Sequence, residues 1–86
     1  MHPHQHRIDL CNRALEAVQA IIPAGLHRDV RAYINDYDEW GLGMEVLIDQ
    51  LAEFDIKITR EQRRLIQEAM DSMGLGPRCR SLQVLG

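Results

Sequence analysis

Four stretches of the chain carry apolar residues at steps of three and four, the spacing that lines up one face of an α-helix. Over positions 7–22 the stripe is Ile8, Cys11, Leu15, Val18 and Ile22, with Asn12, Arg13, Glu16 and Gln19 between them. Pro23-Ala24-Gly25 stops that helix, because proline supplies no amide donor and glycine accepts the left-handed conformation that follows a helix end. Leu26, Val30, Tyr33 and Tyr37 mark a second helix over positions 26–36. In the third, starting near Glu39, the residues Trp40, Met44, Leu47, Leu51 and Phe54 project within about 80° of one another. That stripe, Trp40 included, is expected to be the most buried. Asp38 is placed to cap it and Glu39 to suit the positive end of its dipole. Gly41 and Gly43 each cost up to about 1 kcal/mol inside a helix, and close approach of a neighbouring helix is the expected reason for them.

The fourth helix starts at Arg60 behind the capping box Thr59-Arg60-Glu61-Gln62, buries Leu65, Ile66, Ala69, Met70 and Met73, and stops at Gly74-Leu75-Gly76-Pro77. Asp55-Ile56-Lys57-Ile58 alternates polar and apolar, but four residues make no sheet and no partner strand is evident, so it reads as a linker. The expectation is an all-α fold: a compact bundle of about four short amphipathic helices, with sequence neighbours antiparallel. Residues 1–86 form one domain in this reading, with 1–6 and 77–86 as flexible tails.

Composition narrows the class. A chain of 86 residues buries about 64% of its unfolded surface, enough for one core and no more. With 45% hydrophobic and 27% charged residues and a formal charge of −3, it is too apolar and too nearly neutral for disorder. No run of about 18 apolar residues exists, and Met1-His2-Pro3-His4-Gln5-His6-Arg7 lacks a signal-peptide apolar core, so a cytoplasmic protein without membrane contact is expected. In that compartment one bridge between Cys11 and Cys79 is a weak proposal; a buried Cys11 and a free tail thiol at Cys79 are expected. The acidic balance disfavours direct nucleic-acid binding, which needs a basic face.

Catalytic chemistry is thin. His2, His4 and His6 could gather a transition metal, but they precede the first helix, where ligands lack a scaffold and second-shell support. His27 is alone among the helices, Thr59 serves as a cap, and Ser72 and Ser81 lie near the tail, so no nucleophile is expected beside an oriented base. No phosphate loop, zinc spacing or dinucleotide fingerprint is present. Neither an enzyme, a cofactor nor a metal is expected.

Charge is more informative. Positions 32–56 carry seven acids and no Lys or Arg, while the remainder nets +4. Glu45, Asp49 and Glu53 repeat every four residues, a spacing at which like charges repel by a few tenths of a kcal/mol per pair. Leu42 and Val46 project beside them, giving an apolar strip edged by carboxylates, the makeup of a partner-binding surface. A solvated face, or a helix buried on two sides, has the same pattern. The candidate partner-binding residues are Asp38, Glu39, Leu42, Glu45, Val46, Asp49, Glu53 and Asp55. Arg60, Arg63 and Arg64 are expected to face these acids or solvent, with no ligand.

The run from Tyr33 to Leu47, with Asp38-Glu39-Trp40-Gly41-Leu42 at its centre and Glu45 beyond, resembles the MafI-type family of small immunity proteins of bacterial polymorphic-toxin systems. The likeness continues through Glu53-Phe54-Asp55-Ile56-Lys57-Ile58-Thr59 and the helix to Met73-Gly74-Leu75, covering positions 30–75, with Gly43 where that pattern has alanine. The resemblance implies a cytoplasmic, all-helical protein without enzymatic activity that binds one cognate toxin C-terminal domain. Many such toxins are nucleases with basic clefts, to which an acidic surface is complementary. The rival readings are a generic helical interaction module and a self-associating subunit that uses the apolar strip.

Overall fold

Helix α1 spans Gln5–Val18 and passes through a 3-10 turn, Gln19–Ile21, into the extended Ile22-Pro23 corner. The computed structural model describes residues 4–86; the start of the expected N-terminal tail, His2 included, lies outside them. Gln5 and His6 belong to α1 rather than to a tail. Pro23, with φ −59° and ψ 143°, sets the entry into α2, Ala24–Asn35. Helix α3 spans Trp40–Glu53 and α4 spans Arg60–Ser72. The fold is an all-α bundle. Its accessible surface of 5201 Å² is what a single domain of this mass should have, about 5,200 Å².

The core is one cluster. Leu10, Cys11, Ala14, Leu15 and Val18 of α1 meet Val30 and Ile34 of α2, Met44, Leu47, Ile48 and Leu51 of α3, and Ile66, Ala69 and Met70 of α4. Two side chains expected in these stripes lie outside. Tyr37 is 67% and Phe54 60% exposed, because α2 ends at Asn35 and α3 at Glu53. Past a helix end the 100° projection no longer says where a side chain points. Ile34 takes the place expected for the second tyrosine.

The helix ends explain the turns. Thr59 Oγ1 accepts from the Gln62 amide at 3.0 Å and the Thr59 amide donates to Gln62 Oε1 at 2.8 Å, so the capping box forms as expected. Gln62 Nε2 also donates to the Ala17 carbonyl at 2.9 Å, tying the start of α4 to the end of α1. Helix α4 closes in a Schellman motif, with Gly74 at φ 72° and the Leu75 amide donating to Met70 O at 2.9 Å. Helix α3 closes the same way around Asp55 at φ 53°, with the Ile56 amide on Leu51 O at 3.0 Å. Asp38 is the other left-handed residue, φ 55°. The N-cap position of α3 is therefore Glu39, which makes no side-chain cap bond. Asp38 thus stands one residue before the N-cap position expected for it, its backbone in the left-handed turn.

The largest departure is at the C-terminus. Residues expected as a flexible tail form a 3-10 helix, Gly76–Ser81, and a two-residue strand β2, Gln83–Val84. Strand β2 pairs in parallel with β1, Lys57–Ile58, in the register Lys57 to Gln83 and Ile58 to Val84, and the Leu85 amide adds a bond to Ile58 O at 2.8 Å. The presumed linker thus has a partner strand, contrary to expectation. Cys79 is 1% and Leu82 9% exposed, so Cys79 is a core thiol, not a tail thiol. Helix α1 packs chiefly on α4 and α2 chiefly on α3, while α3 reaches α4 through the 3-10 helix Gly76–Ser81, which touches both. The expected side-by-side pairing of every sequence neighbour fails between α3 and α4 for that reason.

Candidate functional site

Two features of sequence hold α3 where it is. The first is Gly43, where an added Cβ would stand 3.0 Å from Tyr33 Cβ and 3.3 Å from both Ile34 Cγ1 and Val30 O; α2 lies directly on it. The second is the stripe Met44, Leu47, Ile48 and Leu51, buried beneath. With these facing inward, Leu42, Val46, Asp49 and Glu53, at steps of four, three and four, fall on the opposite side.

Leu42 is 46% exposed. Val46 is half-buried and rests against the edge of the core. Asp49 and Glu53 are exposed, and neither has an ion pair or side-chain hydrogen bond among the described residues. Glu45, the third member of the expected stripe, is different: it is half-buried, and its Oε2 lies 3.1 Å from Arg78 Nη2 of the 3-10 helix. Asp55 is also engaged, accepting from Gln83 Nε2 at 3.0 Å. Asp38 and Glu39 are exposed in the loop that enters α3. The eight expected residues thus divide. Leu42, Val46, Asp49 and Glu53 share one outward face, Asp38 and Glu39 flank its start, and Glu45 and Asp55 anchor the C-terminal segment. Sequence reasoning missed Tyr37 and Phe54, exposed aromatics at the two ends of α3; the signal was their place just beyond helix termini.

Trp40 lies at the near end of this helix, half-buried and not fully in the core. The His4 ring centroid is 5.1 Å from its own, tilted by 48°, and the Arg7 guanidinium lies 5.7 Å over it. Its ring thus meets the start of α1 while packing against the edge of the core, so it is less buried than the rest of its stripe. Its Nε1 is buried with no hydrogen-bond partner among the described residues.

Of the other reactive groups, the two serine hydroxyls are occupied in structure. Ser72 Oγ donates to Ala69 O at 2.6 Å and Ser81 Oγ to Arg78 O at 3.3 Å. Burial pushes the Cys11 thiol up to about 12. Burial also raises Cys79, with nearby Arg63 opposing and Asp71 adding to the rise. His27 Nε2 lies 3.7 Å from Glu16 Oε1 across the α1–α2 corner, buried and with no hydrogen-bond partner among the described residues. Among the described residues no group of three or more His, Cys, Asp or Glu could hold a metal ion, and no helix is long and apolar enough to cross a membrane. Arg64 pairs along its own helix, with Glu61 Oε2 3.0 Å from its Nε and Glu68 Oε2 3.4 Å from its Nη1. It does not reach the acids of α3.

A face of this kind can dock a protein surface that is apolar at its centre and basic at its edge. No protein-family model matches the chain, and no curated protein or solved structure matches it.

Proposed function

We propose that the chain is an immunity protein, which binds a cognate bacterial toxin C-terminal domain in the cytoplasm and blocks it without catalysis. The observation that carries this reading is the outward face of α3, where exposed Leu42 shares one side of the helix with Asp49 and Glu53, two carboxylates with no ion pair or side-chain hydrogen bond among the described residues. Repelling charges held one turn apart gain nothing within the monomer. Against a basic surface they speed encounter and reject nucleic acid. The resemblance over positions 30–75 to MafI-type immunity proteins supports the same reading, and a nuclease is the toxin class whose basic cleft best suits the face.

The test is protection in cells. The chain is co-expressed with any toxin C-terminal domain found encoded beside its gene, as wild type and as the triple variant Leu42→Arg, Asp49→Lys, Glu53→Lys. All three positions are outside the core, so circular dichroism of the variant should match wild type. The wild type should restore growth and the variant should not. Equal protection by both removes this face from the function, and no protection by either removes the immunity reading for that toxin.

A further inference from the structure

On the side of the molecule formed by α4 and β2, a groove of about 640 Å³ runs along the helix, with Val84 contributing an apolar wall. That volume lies in the range of small-molecule sites, about 300–1,000 Å³. Its charged residues fall into two groups. Arg64 is held by Glu61 and by Glu68, which also lines the groove. Asp71 accepts from Gln67 Nε2 at 2.8 Å, and the same amide reaches Gly76 O at 3.2 Å, so this carboxylate is fastened to the wall.

Arg60 and Arg63 are the second group. Neither has a carboxylate within ion-pair distance or a side-chain hydrogen bond among the described residues. They stand one turn apart on the groove side, so the two cations repel. They also occupy the first turns of α4, where the positive end of the dipole opposes them. An anion lying between them would relieve both effects. Each guanidinium presents a planar fork of N–H donors, and one fork is enough for a carboxylate. Two forks and two charges match a phosphate dianion. A bare phosphate leaves most of the groove empty, however, and the Val84 side offers contact to an apolar or aromatic group.

We propose that this groove is a binding site for a small phosphomonoester, with its phosphate on Arg60 and Arg63 and its organic part along Val84 and Gln67. The site lies on α4, apart from the α3 face, and does not rest on the immunity reading.

The experiment is a titration of the full chain at constant ionic strength, following the arginine Nε–H resonances. The probes are adenosine 5′-monophosphate, phosphotyrosine, inorganic phosphate and adenosine. The Arg60 and Arg63 signals should move with either phosphomonoester, while that of Arg80, exposed on the 3-10 helix, should not. The better of the two monoesters identifies the source of the phosphate and should bind at least about tenfold tighter than inorganic phosphate or adenosine. The double variant Arg60→Gln, Arg63→Gln should weaken it by at least about tenfold, the loss expected for charge-assisted bonds, and Arg80→Gln should not. An equal response at Arg80, affinity unchanged in the double variant, or inorganic phosphate binding as tightly as both monoesters would each overturn the proposal.

Discussion

Two glycines one residue apart from a common neighbour, Gly41 and Gly43, should respond to alanine with opposite signs. Both are in the first turns of α3, so both variants gain the same helix propensity, about 1 kcal/mol. Space decides between them. At Gly41 a new Cβ meets only Leu75 Cδ1, at 3.9 Å, an ordinary contact with a flexible side-chain end. Gly41→Ala should therefore stabilise by about 0.5–1 kcal/mol. At Gly43 it meets Tyr33 Cβ at 3.0 Å and both Ile34 Cγ1 and Val30 O at 3.3 Å. Carbon pairs rest at about 3.5–4.0 Å, so three groups on α2 must retreat together, two of them fixed closely to the backbone. Overpacking of this kind costs about 1–3 kcal/mol, leaving Gly43→Ala about 0–2 kcal/mol less stable than wild type after the propensity gain. The propensity term cancels in the comparison, so the gap between the variants measures the closeness of α2 and α3. Urea unfolding followed by circular dichroism reads it directly, and a gap of 1 kcal/mol corresponds to about 4–8 °C in Tm for a domain this size. Equal shifts in the two variants would refute the close helix contact.

The C-terminal segment gives a second contrast: Leu82→Ala should cost about 2 kcal/mol or more as a core truncation, whereas the same change in a flexible tail would stay within about 0.5 kcal/mol. Both thiols should resist iodoacetamide in the native protein and react after denaturation, since burial keeps them protonated. With Cys11 raised from 9.0 to about 12, its contribution is complete below pH 9 and is lost as pH rises toward 12; the loss is at most about 4 kcal/mol, and Cys11→Ala should flatten that part of the pH–stability curve. Trp40→Phe removes the buried Nε1–H, which has no partner among the described residues, and should change stability by less than about 1 kcal/mol, while Trp40→Ala should cost about 3 kcal/mol; equal damage from both would mean that the indole nitrogen has a partner.

Long-period features were legible in the sequence, and contacts between short segments were not. Helix α4 could be read to the residue at its start because the capping box and the amphipathic face agree. The inward face of α3 was readable between Met44 and Leu51, and failed at Phe54 where the helix ends. The acid strip was readable as a pattern, but its division was not. That Glu45 meets Arg78 and Asp55 meets Gln83 depends on how the last ten residues fold back. That return rests on two strands of two residues and on Cys79 and Leu82, each too short or too isolated to carry a periodic signal. The arginine groove was hidden for the same reason, since Val84 closes it only through β2.

The central claim, capture of a basic partner by the outward face of α3, is tested most directly by the association rate constant. Stopped-flow mixing with any toxin domain found encoded beside this gene, over a series of salt concentrations, compares wild type with Asp49→Lys, Glu53→Lys. The wild-type rate should fall steeply with salt, and the variant should associate at least about tenfold more slowly at low salt with a nearly flat dependence. Equal rates and equal salt slopes for the two proteins would contradict the account.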